Sequence, residues 1–84
     1  MMDEDGHTAM ITVLAFARYR VLLCFERVRI SLPQAATLGA LLAEARFEAL
    51  PKDALLAVNQ AFVKRDARLQ DGDEVALMPP VSGG

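Results

Sequence analysis

Apolar and polar positions alternate most cleanly in two stretches. Val28, Ile30 and Leu32 alternate with Arg27, Arg29 and Ser31, which predicts a half-buried strand over Glu26–Leu32 with a basic outer face. Val75 and Leu77 alternate with Glu74 and Ala76, which predicts a last strand over Glu74–Met78, with Met78 on the face opposite Val75 and Leu77. Ile11–Ala17 is apolar at both parities, as expected of a strand covered on both faces or of a central strand. Between them, Arg18–Phe25 has no Gly, Pro or Asn to mark a turn, and its apolar run fits a short helical turn as well as a strand. After Pro33 the period changes. Thr37 is placed to cap a helix running to about Phe47, whose Leu38, Leu41, Leu42 and Ala45 fall at i, i+3, i+4 and i+7 and form a core stripe. Gly39 in its first turn weakens that helix. Leu55–Gln60 reads as a further strand and Phe62–Lys64 as a short one. A mixed sheet of four or five strands packed on one helix buries all of these faces, an α+β arrangement. The domain then spans residues 10–78, between a flexible extension over 1–9, where no periodicity is present, and a tail over 79–84. Met10 stands just before the first strand.

Composition narrows the chemistry. A chain of 84 residues is one small domain, and a formal charge of −2 argues against sequence-independent nucleic-acid binding, which needs a basic surface. One cysteine, Cys24, permits no internal disulfide and suits a reducing compartment. The longest apolar run, Val21–Phe25, is far too short to span a bilayer, and no signal-peptide pattern precedes it, so the expectation is a cytoplasmic protein with no membrane partner. Charge is unevenly spread. Arg18, Arg20, Arg27 and Arg29 make one segment basic, either as a solvated face or as a docking patch for an acidic partner.

Catalytic groups are sparse. Nucleophilic catalysis needs a nucleophile beside an oriented base, yet Cys24 lies in an apolar run and the sole histidine, His7, lies in the extension, where it reads as a solvated residue. Asp71 and Asp73 flank Gly72 in the manner of turn chemistry, Asp66 and Glu74 lie close by, and no glycine loop suited to phosphate appears. No residue of the chain is therefore expected to be catalytic by itself, and no bound cofactor or metal is expected. The C-terminus is different. Pro79 and Pro80 cannot donate ladder hydrogen bonds and force the chain out of the sheet as a stiff arm, after which Val81, Ser82, Gly83 and Gly84 narrow to residues with little or no side chain. Six extended residues reach roughly 20 Å, enough to carry a terminal carboxylate into a narrow channel.

Three stretches carry a family likeness: Leu56-Ala57-Val58-Asn59-Gln60, Leu69-Gln70-Asp71-Gly72-Asp73-Glu74-Val75-Ala76, and Pro79-Pro80-Val81-Ser82-Gly83-Gly84. Together they closely resemble the MoaD-type family, the small sulfur-carrier subunits of molybdopterin synthase, over most of residues 10–84 and least between Arg18 and Ala36. The resemblance implies a β-grasp (ubiquitin-like) fold. It implies that Gly84 is adenylated with ATP by a ubiquitin-activating-like adenylyltransferase and converted to a thiocarboxylate by a sulfur donor protein. The charged tail then enters the large, catalytic subunit of molybdopterin synthase, which uses the sulfur to build the dithiolene of molybdopterin. By position, Gly84 matches the modified residue, Gly83 the small neighbour, and Pro79, Pro80, Val81 and Ser82 the inserted arm. Met78 stands where the family often has an aromatic residue, as a partner anchor or as the edge of the core. The same fold and Gly-Gly end also serve sulfur carriers for thiamine or cysteine synthesis, against which the Pro79-Pro80 pair leans, and ubiquitin-like protein modifiers.

Overall fold

The computed structural model describes residues 8–80. Five strands, β1 (Met10–Ala15), β2 (Arg27–Ser31), β3 (Leu55–Val58), β4 (Ala61–Phe62) and β5 (Glu74–Met78), form one mixed sheet in the order β2-β1-β5-β3-β4. The first and last strands lie side by side and parallel, with Val13 opposite Val75 and Ala15 opposite Leu77, while the other pairings are antiparallel. This is the expected mixed sheet, at the upper of the two predicted strand counts. The ladder reaches back to Ala9, whose carbonyl accepts a bond from Leu32 N at 2.9 Å.

Two short helices cover one face, where one was expected. The ambiguous segment forms α1 (Tyr19–Leu23), entered through a left-handed Ala17 (φ 53°) and closed by a left-handed Cys24 (φ 66°). It puts Tyr19 and Leu23 into the core. The second helix, α2 (Leu38–Leu42), is capped by Thr37 as predicted, with its Oγ1 accepting from Ala40 N at 3.1 Å. The two preceding amides are also satisfied, Leu38 N by Ala67 O at 2.9 Å and Gly39 N by Arg65 O at 2.7 Å. Gly39 thus has a packing reason: a Cβ there would stand 3.2 Å from that same carbonyl.

The expected helix to Phe47 does not form, and Ala45 is exposed instead of completing the stripe. Glu44 turns to an extended conformation (ψ 151°), and a 3₁₀ turn follows over Ala45–Phe47. The reason is phase. Phe47 lies nine residues beyond Leu38, half a turn out of register on a helix of about 3.6 residues per turn, so a continuous helix would point it to water. The break buries it to 2 % exposure, edge-on to Phe25 at 6.2 Å between ring centroids.

The core lies between this helical layer and the inward residues of the sheet: Ile11, Val13, Ala15, Ile30, Leu56, Val75 and Leu77. Of the two expectations for β1, the central strand holds, since it lies between β2 and β5, and the strand covered on both faces does not. Ile11, Val13 and Ala15 are buried, but Leu14 is only half-buried and Phe16 is 43 % exposed, because none of the described helices packs on the other side. The strands around the Asn59 turn are also shorter than predicted. Asn59 and Gln60 adopt positive φ (51° and 72°) and end β3 at Val58, and β4 occupies Ala61–Phe62, not Phe62–Lys64.

Candidate functional site

The two family-like internal stretches turn out to fasten one another. The Asp73 carboxylate accepts Asn59 Nδ2 at 2.9 Å and Gln70 N at 2.8 Å, Asn59 Oδ1 accepts Glu74 N at 2.9 Å, and Asn59 N bonds to Glu74 O at 2.8 Å. Asp71 Oδ1 accepts Met10 N at 2.7 Å, and Gly72, at φ 88°, donates to Met10 O at 2.7 Å. Turn chemistry accounts for both aspartates. The result is a clamp at the entry to β5, so the strand leading to the tail is anchored where it begins. Replacing Asp73 with Ala leaves a backbone amide and a side-chain amide without their acceptor; it is expected to cost about 1–2 kcal/mol, seen as a fall of roughly 4–16 °C in the thermal midpoint.

At its other end β5 delivers Met78, Pro79 and Pro80, all half-buried, with Met78 opposite Leu55 of β3. Phe16 N bonds to Leu77 O at 3.1 Å, so the end of β1 and the end of β5 are tied together. Val81, Ser82, Gly83 and Gly84 lie outside the described residues, as does His7. Of the expected tail, the structure describes Pro79 and Pro80, which leave the sheet at the end of β5.

The outer face of the sheet holds a surface that the residue pattern did not single out. The strand registers align Arg27, Leu14, Ala76, Ala57 and Phe62 in one row across all five strands. Beside this row, toward the tail, stand Phe16, Met78 and Leu55. Leu14, Phe16, Ala57, Phe62, Ala76 and Met78 line a groove of about 340 Å³ bordered by Gln60 and Glu74. Phe62 is 73 % exposed at its rim. Met78 therefore lies on the outer face as alternation predicted, within an apolar surface that also contains Phe16 and Phe62. A signal for that surface was present: β1 is apolar at both parities, and the described helices cover one face only.

A second hollow of about 430 Å³ adjoins the first on the β2 side, lined by Leu14, Phe16, Arg20, Glu26 and Arg27 among others. No group of three or more His, Cys, Asp or Glu among the described residues is placed to hold a metal ion, and none of the described helices is long and apolar enough to cross a membrane. Cys24 is exposed, its Sγ donating to Val21 O at 3.7 Å. Tyr19 is fully buried, with no partner for its hydroxyl among the described residues. Burial first, then the charge of Asp53, pushes its pKa above the ordinary 10.0, against a smaller lowering by Arg18. Its folded form holds the proton longer than the unfolded chain, so its contribution to stability is complete below pH 10 and declines above it.

Comparison with known proteins agrees with the fold. The model of the ThiS family matches residues 13–84. The molybdopterin synthase sulfur carrier subunit of Drosophila yakuba is 32% identical over 90 residues, covering 99% of this chain and 100% of the relative. Among solved structures, molybdopterin converting factor subunit 1 from Pyrococcus furiosus is 32% identical with a TM-score of 0.77, over 88% of this chain and 100% of that one. Subunit 1 in a protein–protein complex of subunits 1 and 2 of the molybdopterin-converting factor from Helicobacter pylori is 26% identical, with a TM-score of 0.62 over 89% of this chain and 99% of that one.

Proposed function

The chain belongs to the ThiS family, and from that membership we propose that it is the sulfur carrier subunit of a molybdopterin synthase, acting through a thiocarboxylate on Gly84. The observation that carries the reading is the family match running to Gly84, so that the carboxylate at the end of the Pro-Pro arm is included in it.

The chemistry follows from the carboxylate. Its carbon has no leaving group better than oxide, so it accepts a sulfur nucleophile only after activation. Adenylation with ATP by a partner enzyme releases pyrophosphate and leaves AMP as the leaving group; a sulfide-level sulfur from the donor attacks the carbonyl carbon, the carbon–oxygen bond to AMP breaks, and a carbon–sulfur bond replaces it. The chain itself supplies geometry. The clamp of Asn59, Asp71 and Asp73 anchors one end of β5, Pro79 and Pro80 stiffen the exit from the other, and Gly83 and Gly84 bring no side chain to a channel. The large synthase subunit receives the tail and uses the sulfur. Its docking place on this chain is the outer-face groove, because the apolar residues there, Phe16, Phe62 and Met78, flank the strand from which the tail leaves. The adenylyltransferase faces the same geometric demand and is served by the same surface.

The test is an intact mass after incubation with ATP, a cognate adenylyltransferase and a sulfur donor. The expected gain equals one oxygen replaced by sulfur, with no gain when ATP is withheld. An unchanged mass, with the same adenylyltransferase active on another carrier, overturns the reading; covalent conjugates to lysines of other proteins replace it with a protein modifier.

A further inference from the structure

Arg27 and Arg29 are left over by the fold and by the tail chemistry. They stand two residues apart on the outer face of β2, an edge strand, about 7 Å from one another by strand geometry. Both are exposed, and neither makes an ion pair with another described residue; the salt bridge between described residues is Arg46–Glu44, at 3.4 Å. Arg27 lies directly opposite Leu14 and Arg29 opposite Thr12, so the pair borders the apolar row. Arg27 also lines the second hollow with Arg20, whose Nε bonds to Ala17 O at 3.4 Å. Within residues 18–29 there are four arginines and one acid, Glu26, in a chain whose formal charge is −2. Of these, Arg20 and Arg27 line the hollow beside the groove, and Arg29 follows Arg27 on the same edge strand. On a merely solvated strand face nothing ties the charge to that place.

We propose that Arg27 and Arg29 form the electrostatic half of the docking surface, meeting carboxylates on the partner protein that receives the tail. This rests on the sulfur-carrier reading and deepens it. The apolar groove and the arginine border are continuous through the Arg27–Leu14 pair, so one partner surface covers both: an apolar patch for Phe16, Phe62 and Met78, edged on one side by Asp or Glu. Guanidinium groups suit this task because each offers a planar fork of donors to a carboxylate. A protein partner is favoured over nucleic acid because two arginines beside an apolar groove on an acidic chain supply too few phosphate contacts.

Charges at the border of an interface act mainly on the rate of encounter, and the effect is screened by salt. The experiment is stopped-flow association of the full chain with the large synthase subunit from the same organism, at low and high ionic strength. For the double variant R27E/R29E the association rate constant is expected to fall about tenfold or more near 50 mM salt, with dissociation changed less than about threefold and the difference from wild type largely gone near 500 mM. The variant R27Q/R29Q, which removes charge without reversing it, is expected to show roughly half the effect on a logarithmic scale and decides the matter if the glutamate pair does not fold. Unchanged association of a folded charge variant, beside a wild type that binds, overturns this inference alone. Absence of any wild-type complex overturns it together with the sulfur-carrier reading.

Discussion

Leu77→Ala is expected to lower the stability of the domain by about 3–5 kcal/mol, a large share of what so small a domain has. Leu77 is fully buried on β5, the central strand, with Ala15 of β1 on one side and Leu56 of β3 on the other. Deleting its side chain loses the transfer free energy of three carbons and opens a cavity that two hydrogen-bonded neighbours prevent from closing; such changes cost about 2–5 kcal/mol. An 84-residue domain has only about 4–13 kcal/mol to lose. The thermal midpoint should fall by roughly 12–40 °C. The control is Leu55→Ala on the neighbouring strand: Leu55 lies on the outer face, only half-buried, and should cost clearly less. Equal losses at the two positions would contradict the assignment of the core to the Leu77 face.

The strands were legible where one face meets water. β2 and β5 alternate cleanly, and their inward residues, Val28 with Ile30 and Val75 with Leu77, are those the period-2 pattern selected. The failures have physical causes of their own. The helix beginning at Thr37 was drawn too long because the stripe of Leu38, Leu41 and Leu42 continues formally to Ala45, whereas burial of Phe47 demands a break that local periodicity does not encode. The equally apolar parities of β1 fit a central strand as well as one covered on both faces, and only the first holds; sequence alone does not say whether a second cover is the same chain or another. Ala17, Cys24 and Asn59 sit at positive φ without being glycine, so the turns they make carry no glycine signal.

The site divides in the same way. The chemistry proposed for it, a carboxylate on a slender arm, rests on residues 79–84 alone, because prolines and glycines impose their backbone properties without help from the fold. Its surface is not read so directly. Leu14, Phe16, Phe62 and Met78 are spread over 65 positions of sequence and meet only through strand order, since β5 inserts between β1 and β3. Asn59 and Asp73 carry the family likeness, and their side chains serve the clamp. Phe62 lies two positions beyond the first of the three family-like stretches, on a strand too short to show a period.

Phe62→Asp and removal of Gly84 should therefore separate docking from chemistry. Phe62 is 73 % exposed and stands at the end of the apolar row, so its replacement should change stability by no more than about 0.5 kcal/mol. Buried aromatic anchors, by contrast, commonly contribute 2 kcal/mol or more to an interface, and an aspartate in their place adds the desolvation of a charge against an apolar patch. Affinity for the large synthase subunit, measured by calorimetry, should fall about 100-fold or further, since each factor of ten is about 1.4 kcal/mol. The chain lacking Gly84 should show the opposite pattern: it keeps the groove and retains binding, but presents the carboxylate one residue short, on Gly83, and gains no sulfur. On the proposed reading a working carrier needs groove and tail together, because docking would set where the arm starts and the arm where the sulfur arrives. A Phe62→Asp chain that binds like wild type would move the interface elsewhere on the domain, and sulfur on the shortened chain would remove the requirement for reach.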